Sequence, residues 1–252
     1  MIESLAQLLA DNALLQRSMR RTERATQPRT GRLVITRWSA IQVFLGLMFS
    51  VSCHADGAAI AKTGAGAVPA CQTCHGAAGE GLAQAGFPRL AGLGAPYMQR
   101  QLAAFADGTR VNDVMRPIAK ALSDAQRVDV STYYAALPAP AAAVSTAPAS
   151  SMATSSAPVS AGSALATRGR WADQLPACEQ CHGPGGRGVG PDFPPLAGQS
   201  ASYLANQLNA WKTGARPPGP MGLMSVVARK LSEAEVLAIA EHYAALPAKE
   251  VR

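Results

Sequence analysis

The chain repeats itself once, and that duplication constrains its fold more than any other feature. Cys71-Gln72-Thr73-Cys74-His75 returns as Cys178-Glu179-Gln180-Cys181-His182, and the residues after each copy keep step. Phe87-Pro88-Arg89-Leu90-Ala91-Gly92 aligns with Phe193-Pro194-Pro195-Leu196-Ala197-Gly198, Tyr97 with Tyr203, and Gln101-Leu102 with Gln207-Leu208. Phe105 aligns with Trp211, Gly108 with Gly214, and Arg110 with Arg216. After a short insertion in the second copy, Met115 aligns with Met224, Leu122-Ser123 with Leu231-Ser232, and Tyr134-Ala135-Ala136-Leu137-Pro138 with Tyr243-Ala244-Ala245-Leu246-Pro247. Two domain-sized copies make a tandem of domains and not a solenoid. With only 5% aromatic residues, small domains of this composition are short of core-building side chains, a deficit that a bulky buried group would relieve.

Each copy reads as helical, and no period-2 strand stands out, so the expected fold class is all-α. Ser123-Asp124-Ala125-Gln126 and Ser232-Glu233-Ala234-Glu235 are capping boxes, in which a Ser hydroxyl accepts an orphan N–H and the residue three on reaches back. Apolar residues come after each box at helical spacing, and each helix stops before Leu-Pro. Helices are also expected over Ala95–Ala106 and Ser200–Lys212, ending at Gly108 and Gly214. Between the copies, residues 139–164 carry no charge and no aromatic side chain and are dominated by Ala, Ser and Pro. They read as a flexible tether. The expected organisation is an N-terminal extension over 1–55, a first domain over 56–138, the tether over 139–164 and a second domain over 165–252.

C-x-x-C alone fits a redox dithiol, a disulfide or half a zinc site, whereas C-x-x-C-H is the pattern of c-type haem attachment. Two cysteines three residues apart lie on one side of a helical turn, placed to form thioethers to two vinyl groups. The adjacent His then reaches iron. A zinc site would want its second ligand pair within one or two dozen residues, not beyond a tether. A thioredoxin-type dithiol wants a βαβ context that is missing. Cys71, Cys74, Cys178 and Cys181 are therefore the expected attachment residues of two haems, with His75 and His182 as iron ligands. Met115 and Met224, each seven residues before a Leu-Ser cap, are the expected sixth ligands. Met221 remains an alternative in the second copy, while Met98, which aligns with Leu204, reads as core. The Phe-Pro-x-Leu-Ala-Gly stretch is either simple loop packing or the source of a backbone carbonyl for the His Nδ1–H. Tyr97, Tyr203, Phe105 and Trp211 read as helix packing, and His242 as incidental. Arg110 and Arg216 read as exposed, with haem propionates as their alternative partners.

The formal charge of +7 is unevenly spread, since residues 1–55 hold seven Arg against three acidic residues. No basic stripe interleaved with aromatics suggests nucleic acid. Arg37 precedes an apolar run from Trp38 to Val51, with small residues after it up to Ala55. That is the layout of an export signal cleaved after Ala55, shorter than a membrane span of about 20 residues. A retained anchor is the alternative, and Cys53 is a poor lipoprotein cysteine because Ser50 stands where an aliphatic residue is wanted. Residues 1–32 precede the basic flank, which suggests translation beginning near Leu33 or Val34. An exported chain of this kind belongs in the periplasm.

Together, C-x-x-C-H-G, F-P-x-L-A-G, Y-x-x-x-Q-L, a Met seven residues before L-S and a final Tyr-bearing helix resemble the two-haem class I cytochromes c of the cytochrome c4 family. The resemblance spans nearly all of residues 66–247 in both copies. It implies two small all-α class I cytochrome c domains, each with a covalent haem c, packed with their haem propionate edges close. The long tether is a departure that leaves beads on a string open as well. The resemblance implies a periplasmic single-electron carrier and not an enzyme. Expected partners are a terminal oxidase, a cytochrome bc-type complex or a dehydrogenase, with peripheral membrane association as an option. A haem subunit of a larger periplasmic dehydrogenase or oxidase is the alternative. A dihaem enzyme is the third reading, although a thiosulfate-oxidising site would want a Cys ligand and all four cysteines beyond Cys53 belong to the two motifs.

Overall fold

A computed structural model describes residues 56–140 and 156–248. The expected signal segment, Cys53, Ala55 and most of the tether lie outside the described residues. The architecture is helical, and among the described residues the only β pairing is four isolated bridges. The first domain runs through α1 (Gly57–Thr63), α2 (Gln72–His75), α3 (Ala95–Asp107), α4 (Met115–Ala121) and α5 (Asp124–Ala136). The second repeats the order in α6 (Ser156–Arg168), α7 (Cys178–His182), α8 (Ala201–Thr213), α9 (Leu223–Arg229) and α10 (Glu233–Ala245).

Local chemistry accounts for the boundaries. Both capping boxes form, with Ser123 and Gln126 closing the start of α5 and Ser232 and Glu235 the start of α10. Helices α3 and α8 stop at Gly108 and Gly214, both in the left-handed conformation that glycine adopts without a Cβ penalty. Leu137 and Leu246 turn extended because each precedes a proline.

Each domain has its own core. Ile60, Val68, Leu93, Met98, Leu122, Val130 and Tyr134 form one, so Met98 is a core residue. Leu165, Leu175, Leu208, Leu231, Val236, Ile239 and Tyr243 form the other. The tether reading fails over its last residues, because α6 begins at Ser156 and packs on α10. The small residues that mimic a linker are what let the two helices touch. A Cβ on Gly162 would lie 2.1 Å from the Ala238 carbonyl oxygen, and one on Gly57 would lie 2.2 Å from the Asp129 oxygen where α1 crosses α5.

The two domains are also docked against each other, unlike beads on a string. Ser202 Oγ at the start of α8 donates to the Ala83 carbonyl at 3.0 Å. Arg100 pairs with Asp192 at 3.0 Å and donates to the Pro191 carbonyl at 2.6 Å. The Val111 N–H donates to the Ala215 carbonyl at 3.2 Å. Among the described residues no helix is long and apolar enough to cross a membrane.

Candidate haem sites

In each domain the C-x-x-C-H motif forms one helical turn, α2 in the first and α7 in the second. That turn presents Cys71 and Cys74, or Cys178 and Cys181, on one side, and none of the four is joined in a disulfide. Burial pushes the Cys71 thiol up, and it pushes Cys178 up to about 11, with hydrogen bonds only partly opposing it. Thiols held protonated in this way are unlike the acidic cysteine of a redox dithiol.

The two histidines are placed identically. His75 Nδ1 donates to the Pro88 carbonyl at 2.9 Å and His182 Nδ1 to the Pro194 carbonyl at 2.8 Å. A carbonyl only accepts, so Nδ1 carries the proton. Burial lowers both imidazole pKa values, against the opposing pull of those carbonyls. A neutral ring protonated at Nδ1 leaves the Nε2 lone pair free for a metal. The Phe-Pro-x-Leu-Ala-Gly stretch therefore supplies the orienting carbonyl in both copies. Phe87 and Phe193 flank the two rings, each with its centroid 6.1 Å from the imidazole.

A cavity of about 520 Å³ opens beside His75, and Cys71, Cys74 and Met115 line it. Ser131 lines it too, with a buried hydroxyl that has no hydrogen-bond partner. In the second domain Cys178 and Met224 pack against the same core, whereas Met221 is 84% exposed. The structure thus brings together the expected attachment and ligand residues of the first site, and sets Met224 rather than Met221 against the second core.

The arginines depart from the sequence reading. Arg110 and Arg216 are buried, not exposed. They also line the first cavity, although Arg216 belongs to the second domain. Arg110 donates to Gln101 Oε1 in its own domain at 2.8 Å, and across the face to Tyr203 OH at 3.1 Å and Gln207 Oε1 at 2.6 Å. Arg216 mirrors it, donating to Gln207 Oε1 at 3.1 Å, Tyr97 OH at 3.0 Å and Gln101 Oε1 at 3.2 Å. Each guanidinium also lies over an aromatic ring of its own domain, 4.4 Å from the Phe105 centroid and 3.9 Å from that of Trp211. Burial would raise the Tyr203 phenol, but Arg110 and Arg216 hold it below its usual value. This cross-domain exchange is not legible in the sequence, where the only signal is the recurrence of Tyr, Gln and Arg at matching places.

The residues present fit a haem c. Two unjoined thiols share a turn, a neutral imidazole offers Nε2, and a thioether stands in the cavity wall. The same cavity reaches two buried cations whose hydrogen-bond partners are all neutral, a setting that suits carboxylates. These features define a class, the tandem c-type cytochromes. The family model described as cytochrome c matches residues 54–137 and again 159–244. A thiosulfate dehydrogenase electron acceptor of Stutzerimonas stutzeri is 48% identical over 78% of this chain and 88% of its own length. A cytochrome c4 of Pseudomonas aeruginosa is 35% identical over 80% of this chain and 95% of its own. Among solved structures, a thiosulfate dehydrogenase of Marichromatium purpuratum matches with a TM-score of 0.68 at 42% identity over 76% of this chain. The match spans only 40% of that longer chain. The chain belongs to the cytochrome c family, in its two-haem, cytochrome c4-like branch. It is a dihaem electron-transfer protein with two covalently bound haem c groups.

Proposed function

We propose that this chain is an exported, periplasmic electron acceptor for a dehydrogenase that oxidises a small sulfur oxyanion, with thiosulfate the first candidate. It passes electrons singly to a further respiratory acceptor. The observation that carries this reading is the 48% identity, over 88% of its length, to a relative described as a thiosulfate dehydrogenase electron acceptor. That likeness moves a dehydrogenase ahead of the terminal oxidase among the partners expected from the sequence. A general carrier between a cytochrome bc-type complex and a terminal oxidase is the second reading, favoured by the cytochrome c4 relative matched over 95% of its length.

On this reading Cys71 and Cys74 tether the first haem, and Cys178 and Cys181 the second. His75 with Met115, and His182 with Met224, would hold the two irons. Bound haem supplies an iron that gains and loses one electron, and the chain's own residues hold and tune it. Pro88 and Pro194 fix the tautomer and orientation of the histidines. A thioether ligand favours the reduced iron and raises its potential. Arg110 and Arg216, which line the first cavity at the face between the domains, would hold haem propionates there. The reading of the chain as a carrier rests on relatives described as an electron acceptor and as a cytochrome c4.

The test mixes the purified oxidised protein with thiosulfate dehydrogenase and thiosulfate and monitors reduction of its haem bands. Rapid reduction that needs both enzyme and substrate is expected. Failure there, with rapid reduction by a cytochrome bc-type complex, would reject the acceptor role in favour of the general carrier.

A further inference from the structure

The two copies of the repeat differ at Arg89, on the face between the domains. Where the second copy has Pro195 the first has Arg89, which is fully buried at 1% exposure. Its guanidinium donates to the Ala91 carbonyl in its own domain and to the Ala197 carbonyl of the other at 3.0 Å. Ala91 and Ala197 are equivalent residues of the repeat. Each lies three positions after the proline whose carbonyl holds a histidine. One guanidinium thus bridges the two proximal loops through matching oxygens. Gln199 fixes it there, accepting from the Arg89 N–H at 2.9 Å and donating back to its carbonyl at 3.1 Å.

Arg89 Nε has no acceptor, and no ion pair among the described residues includes this side chain. Burial draws its pKa down to about 10, so it stays charged at neutral pH. A buried cation held only by neutral dipoles is weak support for stability, and an apolar side chain of similar size often does as well. Its electrostatic effect is another matter. A fixed positive charge in a poorly screened interior favours whichever neighbouring state carries less positive charge, which for a haem iron is the reduced one.

We propose that Arg89 is a shared electrostatic element, a single cation between the two proximal loops that raises the reduction potential of both haems together. The inference rests on the assignment of His75 and His182 as iron ligands. It predicts that one substitution in the first domain moves the second domain's haem as well.

The test is a redox titration of the intact dihaem protein and three variants, with haem content measured on each preparation. Arg89→Met, and Arg89→Gln as a polar alternative should the first fold poorly, should lower both waves. The expected fall is at least threefold in each reduction equilibrium, or roughly 30 mV for one electron. Gln199→Leu breaks the clasp but keeps the charge, and should leave both waves in place. Unmoved waves in both Arg89 variants would overturn the proposal, as would movement of only one wave. An equal fall in Gln199→Leu would also overturn it, by assigning the effect to contact and not charge. A wild-type protein with fewer than two haems would overturn the attachment assignment on which the ligand reading depends, and is read independently of the waves.

Discussion

Gly162→Ala is the sharpest test of how the second haem domain is built. The new methyl would lie 2.1 Å from the Ala238 carbonyl oxygen and 3.1 Å from His242 Cβ, where ordinary contact begins near 3.4 Å. The obstacle on α10 is backbone, so α6 must move away by about an ångström. A gap of ~1 Å forfeits up to half of the dispersion energy across it. It also loosens the burial of Leu165 and Ala166 in the second core, where a fully buried Leu contributes about 1.5–3 kcal/mol. Overpacking of this kind costs roughly 1–3 kcal/mol, occasionally more. Alanine returns up to about 1 kcal/mol of helix propensity over glycine. The expected net loss is about 1–2 kcal/mol, or a fall of roughly 4–16 °C in Tm for a domain of this size. The assay is thermal unfolding of the holoprotein, read by helical circular dichroism and the haem band, with Thr167→Ala on the exposed side of α6 as a control. A Gly162→Ala protein that melts with the wild type would refute the α6–α10 packing and restore the tether over those residues.

Cys71→Ser with Cys74→Ser leaves one covalent haem, read as the mass of the intact chain; two haems would reject the attachment assignment. Met224→Ala opens one iron and lowers that haem's potential, whereas Met221→Ala, at an exposed position, leaves the titration unchanged. Ser232→Ala removes a formed capping box and costs about 1 kcal/mol, seen as a lower midpoint in denaturant.

Much of this protein is legible in its sequence because the signals are local. A Ser with Gln or Glu three residues on caps a helix wherever it occurs, so α5 and α10 are readable. Cysteines and a His within one turn define an attachment chemistry that no distant residue has to complete. The repeat then supplies the sixth ligand candidates, since only Met115 and Met224 recur in register. Contacts made at a distance are not readable. Helix α6 is written mostly in Ala, Ser and Gly, the composition of a linker, and it is held by close approach to α10 together with the burial of Leu165 in the second core. Arg110 and Arg216 look like surface residues because the groups that satisfy them, Tyr203 and Gln207 or Tyr97 and Gln101, lie about a hundred positions away in the other copy. Arg89 looks like a mere mismatch in the repeat, and its meaning emerges only when Ala91 and Ala197 are seen on either side of it.

The far-red Met–iron charge-transfer band of the ferric protein, quantified per haem, tests the ligation of both irons at once. Met115 and Met224 should together give the intensity of two Met-ligated irons, both closed and suited to electron carriage. Intensity for one iron or for none would contradict that assignment, leaving an iron open or differently ligated and moving the chain toward an enzymatic role.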